Sequence, residues 1–261
     1  MTENPLSDPS GADDPSGRPG KPSRREISDA VGGAGWRYIL GALRTSVPVP
    51  SLARGTDVAA RAAAAAGDRA DGSLWMDVRG DRVVLTLQSL ATAGVTPREI
   101  ELAHRISAAV GELGLRTGPE VADRESLPGD ATGQEAAGRE ARSDQILEIA
   151  IDALDIAAVR PFWKAVMGYT DEAGATGPED PLVDPVGQGP AIWFQQMDAP
   201  RPQRNRIHFD VSVPHDEAPH RIRAALAAGG VLVSDSRAPA FWVLADAEGN
   251  EACVTTWQGR D

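Results

Sequence analysis

Apolar and polar positions along the chain fall into two patterned regions. In the first, Ile27 to Val31 reads as a short helix, and Trp36, Tyr38 and Leu40 alternate as in a strand. Asp57 to Ala66 is a run of helix formers that ends at Gly67. Leu74, Met76 and Val78 alternate, Gly80 and Asp81 suit a hairpin turn, and Arg82 to Leu87 supplies the partner strand. Thr96 then predicts a helix N-terminus, with Pro97 at its first position and Glu99 completing a capping box. Ile100, Ala103, Ile106, Val110 and Leu113 form the apolar stripe of that helix, and Gly114 closes it.

The second patterned region repeats itself. ILEIAID reads as a strand, Asp155 as a helix cap, and Ile156, Val159, Phe162, Trp163 and Val166 as an amphipathic helix ending at Gly168. Strand segments follow around Tyr169, around Leu182 and at AIWFQQM. RIHFDVSV then begins a second copy, with a helix from about Glu217 to Ala228 carrying Ile222, Ala225 and Leu226 on one face. VLVSDS, FWVLAD and EACVTT complete it. Each half predicts a strand, a helix and three strands, so the fold class expected is α+β with two domains.

Two stretches carry no such pattern. Residues 1–26 are rich in Ser, Pro, Gly and Asp, and residues 116–144 have little apolar content. Neither buries enough apolar surface to offset the entropy of ordering, which predicts a disordered tail and a flexible linker. The domains expected are therefore residues 27–115 and residues 145–258.

Strand alternation turns the repeat into a candidate site. Leu147, Ile149 and Ile151 are expected under the first helix, leaving Glu148, Ala150 and Asp152 on the other face. In the second copy Ile207, Phe209, Val211 and Val213 are the expected buried set, and His208, Asp210 and Ser212 face away. Trp193 and Gln195 share one face of the fourth strand, as do Glu251 and Cys253 of the eighth. If the halves join into one curved sheet, Glu148, Trp193, Gln195, His208, Asp210, Glu251 and Cys253 line its hollow side. That lining is too polar for a core and reads as a ligand-binding cavity.

Composition narrows the partners. The net charge of −12 disfavours nucleic acid, which demands a basic footprint, and equally an anionic membrane surface. One cysteine forbids an intrachain disulfide. There is no run of about 18 apolar residues to span a bilayer, and the first residues lack the basic start and apolar core of a signal peptide. The expected location is the cytoplasm.

On EIAID with Asp155, Phe162-Trp163 and Met167-Gly168-Tyr169, on RIHFDVSV and on DAEGNEACV, the region 145–258 resembles the vicinal-oxygen-chelate superfamily, which includes glyoxalase I, extradiol dioxygenases and fosfomycin-resistance proteins. The resemblance implies paired βαβββ units round a shared cavity, and metal ligands from the first and fourth strands of each half. Glu148 and His208 match the first-strand positions, Gln195 is nearest in the fourth strand, and Cys253 stands where a carboxylate is usual. A thiol suits hard divalent metals poorly. Two readings stay open: a divalent metal bridging Glu148 and His208, acting as a Lewis acid on an oxygenated substrate, or a metal-free cavity that sequesters a small molecule.

The region 27–115 more distantly resembles pterin-4a-carbinolamine dehydratase. Trp36, LWMDV, the hairpin into RVVLTL and the segment GVTPREIELAHRI carry the likeness. The resemblance implies 4a-hydroxytetrahydrobiopterin dehydratase (lyase) chemistry run by histidines, yet no histidine precedes His104. Asp71 and Gln88 stand nearest the catalytic positions, and of these only the carboxyl can transfer protons. The alternatives are a dehydratase working without imidazole and a retained scaffold. His104, His215 and His220 read as surface residues, Trp242 as core, and both resemblances imply a homodimer.

Overall fold

The computed structural model describes residues 22–118, 120–121, 142–143, 145–200 and 207–259. The chain divides into two compact units, Met1–Ser89 with Gly94–Asp144, and Leu90–Ala93 with Gln145–Asp261. Most of the expected tail and linker, residues 1–21 and 122–141, lies outside the described residues.

In the first unit, helix α1 (Arg24–Gly32) starts inside the stretch expected as tail. A local signal explains the difference: the Glu26 carboxylate accepts from the Ser23 amide at 2.8 Å, and the Ser23 hydroxyl accepts from the Glu26 amide at 3.3 Å. This capping box satisfies helix-end donors, and Ile27 and Val31 are buried behind it. Strands β1 (Arg37–Ile39), β2 (Ala42–Pro48), β3 (Leu74–Val78) and β4 (Arg82–Leu87) form an antiparallel sheet of order β1-β2-β4-β3. Helices α2 (Leu52–Ala66) and α3 (Pro97–Gly111) join α1 in the core with Leu43, Val47, Val83, Leu85 and Leu87. The central strand β2 escapes a reading of hydrophobicity because its inward row includes Thr45. That hydroxyl is satisfied by the Gly35 carbonyl, 2.8 Å away.

The expected linker does not begin at Arg116 in structural terms. Ser46 and Gly118 exchange two backbone hydrogen bonds, 2.8 and 2.9 Å, and the Thr117 hydroxyl donates to the Ala34 carbonyl at 2.8 Å. Beyond it, β5 (Glu120–Val121) pairs with β6 (Arg142–Ser143).

The second unit contains the repeat. β7 (Glu148–Ala153), α4 (Ile156–Met167), β8 (Thr170–Asp171), β9 (Leu182–Val183) and β10 (Ala191–Gln196) make the first half. β11 (Phe209–Ser212), α5 (Ala218–Ala227), β12 (Val231–Arg237), β13 (Phe241–Ala245) and β14 (Glu251–Thr255) make the second. The sheet orders match, β7-β10-β9-β8 and β11-β14-β13-β12, and in each the first strand runs parallel to the last. Asp155 caps α4 through the Ala158 amide, and Gly168 ends it in the left-handed conformation.

Both halves share one core, in which Ile151, Phe162, Val166, Ile192 and Phe194 meet Leu244, Ala252 and Val254. Trp163 joins them, edge-on to Phe162 at 5.4 Å and to Phe209 of the second half at 5.6 Å. Two expectations of burial fail. Leu147 is 63% and Ile207 74% exposed, because each lies just before its strand, where no helix covers the row. Among the described residues, no helix is long and apolar enough to cross a membrane.

Candidate functional site

Register decides which side chains can meet. In the first half, Ala150 sits opposite Trp193 and Asp152 opposite Gln195, so Glu148, Asp152, Trp193 and Gln195 share the face away from α4. In the second half Asp210 sits opposite Cys253, which in turn sits opposite Val243 on β13. Glu251 lies on the same face, opposite Ala245. Trp242 is on the reverse face and packs against the core, whereas Trp193 is half-buried on the open face.

Within the second half, three of these residues converge. His208 Nδ1 lies 3.6 Å from Cys253 Sγ and 3.4 Å from Asp210 Oδ1. Donor atoms of His208, Asp210 and Cys253 all lie within 4.8 Å of one another. Topology explains their unequal exposure. β14 is an interior strand, and Cys253 is only 5% exposed, while Asp210 on the edge strand β11 and His208 just before that strand have side chains 61% and 51% exposed. The site is therefore anchored by a buried sulfur and open on the side of the imidazole and carboxylate.

Glu148 is not among these three. It is exposed on the other sheet, where its charge and that of Asp180 reinforce burial in raising the Glu172 carboxyl above the usual range. Among the described residues, His208 groups with Asp210 and Cys253. Alternation places Asp210 on the correct face, but its partnership depends on β11 running parallel beside β14 in this register.

A nitrogen, a thiol sulfur and a carboxylate oxygen form a donor set that a divalent ion of borderline softness accepts. The set fits a metal better than it fits a nucleophile relay, since sulfur and carboxylate both approach the same imidazole nitrogen, Nδ1. His104, His215 and His220 are exposed; His215 lies edge-on to Trp257 at 5.4 Å, and His220 pairs with Glu217 at 3.2 Å.

In the first unit, Asp71 is exposed at the end of a short 3-10 turn, Gly67–Ala70. Gln88 is half-buried; its backbone N–H donates to the Ser73 carbonyl at 2.9 Å and its side-chain amide to the Gly41 carbonyl at 3.3 Å.

Residues 148–255 match the family model described as a glyoxalase-like domain, so the second unit carries a glyoxalase-like domain. No curated protein matches the chain. Among solved structures, a glyoxalase/bleomycin resistance protein/dioxygenase family enzyme from Burkholderia phytofirmans PsJN is 18% identical, covering 42% of this chain and 95% of its own, with a TM-score of 0.35. A transcriptional coactivator/pterin dehydratase from Brucella melitensis is 22% identical over 34% of this chain and 98% of its own, with a TM-score of 0.31. The fosfomycin resistance protein FosX from Listeria monocytogenes, solved with Mn(II) and 1S,2S-dihydroxypropylphosphonic acid, is 11% identical over 41% of this chain and 86% of its own, with a TM-score of 0.33.

Proposed function

We propose that the glyoxalase-like domain is a metal-assisted enzyme domain for a small oxygenated molecule, with His208, Asp210 and Cys253 holding the ion. The observation that carries this reading is the convergence of three different donor types on one open sheet face. A divalent ion there supplies Lewis-acid polarisation of a substrate oxygen. The chain's own residues do the rest. Cys253 anchors the site from the interior strand, and His208 and Asp210 present the solvent-facing side at which a small molecule arrives. Trp193 and Gln195, on the open face of the other half, are the proposed ligand contacts there.

The test is equilibrium dialysis of the full chain against magnesium, manganese, cobalt and zinc, followed by elemental analysis. About one divalent ion per chain is expected, with affinity falling at least ~10-fold in His208→Ala. Protein that holds no divalent ion overturns the reading. Stabilisation of such metal-free protein by an apolar or aromatic molecule would replace it with ligand sequestration.

We further propose residues 27–115 as a pterin-4a-carbinolamine dehydratase-like unit that does not run the dehydration. The support is chemical. No histidine precedes His104, and an amide such as Gln88 does not titrate near neutrality. The purified chain is expected to leave the rate of quinonoid dihydropterin formation from a 4a-hydroxytetrahydropterin at its buffer value. A saturable acceleration that is lost in Asp71→Asn would reverse the assignment.

A further inference from the structure

We infer that Cys253 makes the site selective for a thiophilic ion, zinc in the first place, over the hard ions manganese and magnesium. This rests on reading His208, Asp210 and Cys253 as a metal site, and it adds which metal the site takes.

The argument is geometric first. Tetrahedral zinc, with Zn–N and Zn–O bonds of about 2.0–2.1 Å and Zn–S of about 2.3 Å, holds its nitrogen and sulfur donors about 3.6 Å apart and its nitrogen and oxygen donors about 3.4 Å apart. Two of the three separations match, 3.6 Å from His208 Nδ1 to Cys253 Sγ and 3.4 Å from His208 Nδ1 to Asp210 Oδ1, and all three donors lie within 4.8 Å of one another, so binding would draw Asp210 on the edge strand towards the sulfur. Octahedral magnesium, with bonds of about 2.0–2.1 Å at right angles, brings adjacent donors to about 3.0 Å and takes oxygen almost throughout.

Donor chemistry points the same way. Thiolate and imidazole favour zinc and its borderline neighbours, while magnesium and manganese favour carboxylate, carbonyl and water. Three protein donors with an open fourth position are the arrangement of a zinc site that admits a substrate oxygen, and the exposed side here is that of His208 and Asp210.

The sheet makes the choice rigid. Cys253 is held between β11 and β13, with Asp210 and Val243 as its cross-strand neighbours. Pairing on both sides fixes the Cys253 backbone, so the sulfur is offered from a set Cα position with only its χ1 rotamers free. Selectivity therefore lies in this one position more than in the edge-strand pair.

The experiment uses the full chain, stripped with a chelator and dialysed against equimolar Zn(II) and Mn(II), then loaded separately with Co(II). Zinc is expected to exceed bound manganese by on the order of 100-fold. Cobalt should give an intense thiolate-to-metal charge-transfer band in the near ultraviolet. Cys253→Asp should abolish that band and cut the zinc-to-manganese ratio at least ~10-fold, with retention of some His208-dependent metal binding. Manganese bound as tightly as zinc, or cobalt bound without the thiolate band, overturns the inference and leaves the metal-site reading standing. Failure of every ion to bind sinks that reading itself. Should Cys253→Asp not fold, the cobalt spectrum and the competition on the unaltered chain decide alone.

Discussion

Asp246→Ala is expected to cost the C-terminal unit about 3–5 kcal/mol and to disturb the proposed site around Cys253. Asp246 sits at the head of the β13–β14 turn, 2% exposed. Its carboxylate accepts four hydrogen bonds: from the amides of Glu248 and Asn250, both 2.9 Å, from Asn250 Nδ2 at 2.8 Å, and from Trp163 Nε1 at 2.9 Å. Bonds to a charged acceptor contribute about 1.5–3 kcal/mol each, and their loss strands the donors in a water-poor turn. They do not add in full, because the turn relaxes once the first is gone. The Trp163 bond also ties α4 of one half to the turn of the other.

The consequence reaches the site through register. The turn sets Val243 opposite Cys253, and a slip of one residue would send Cys253 to the core face. Asp246→Asn should fall between wild type and alanine, since its NH2 faces donors where the carboxylate faced them as an acceptor. Trp163→Phe removes a single donor and part of a ring. Urea unfolding with hydrogen exchange of the β14 amides is the measurement, because two units need not unfold together. An unchanged β14 opening free energy in Asp246→Ala would refute this account of the turn.

The same turn shows what can be read from the chain and what cannot. The repeat is legible because its signals are local: a capping Asp155, a left-handed Gly168, and strands whose apolar period is two. Alternation also assigns His208, Asp210, Glu251 and Cys253 to one face. It carries no information on which strands are neighbours. The parallel pairing of β11 with β14 draws Cys253 towards Asp210, and Glu148 stays on a separate sheet. A pairing across the two halves, Glu148 with His208, is what pseudo-symmetry alone suggests. Hydrogen-bond register adds a grouping within one half, His208 with Asp210 and Cys253. Leu147 and Ile207 fail for a related reason: alternation predicts a face without saying where the covering helix stops. In the first unit β2 hides behind Thr45 and Ser46, polar residues that are buried because backbone groups and the segment 117–118 close over that strand.

That segment yields the second large effect. Gly35→Ala is expected to destabilise the first unit by about 3–4 kcal/mol and to free residues 116–118 for cleavage. Gly35 has φ of +78°, a region costly to a residue with a Cβ, and an added Cβ would overlap the Thr117 carbonyl. Because the clash is with backbone, no rotamer change relieves it, and either Gly35 or the 117–118 segment must move. Movement of the segment breaks the two Ser46–Gly118 bonds, worth about 1 kcal/mol each. It also breaks the Thr117 contacts with Ala34 at 2.8 Å and with Ser107 at 2.9 Å. Ser107 is itself the acceptor for Nε1 of the buried Trp36, at 2.9 Å, so the disturbance enters the core. Composition makes Arg116 the first residue of a linker, whereas these bonds make it the last residue before a docked one. Tryptic cleavage after Arg116 separates the two: slow in the native chain and accelerated in Gly35→Ala, in step with faster exchange of the Ser46 and Gly118 amides. Equal cleavage rates in both proteins would show that the segment contributes nothing to the unit it lies against.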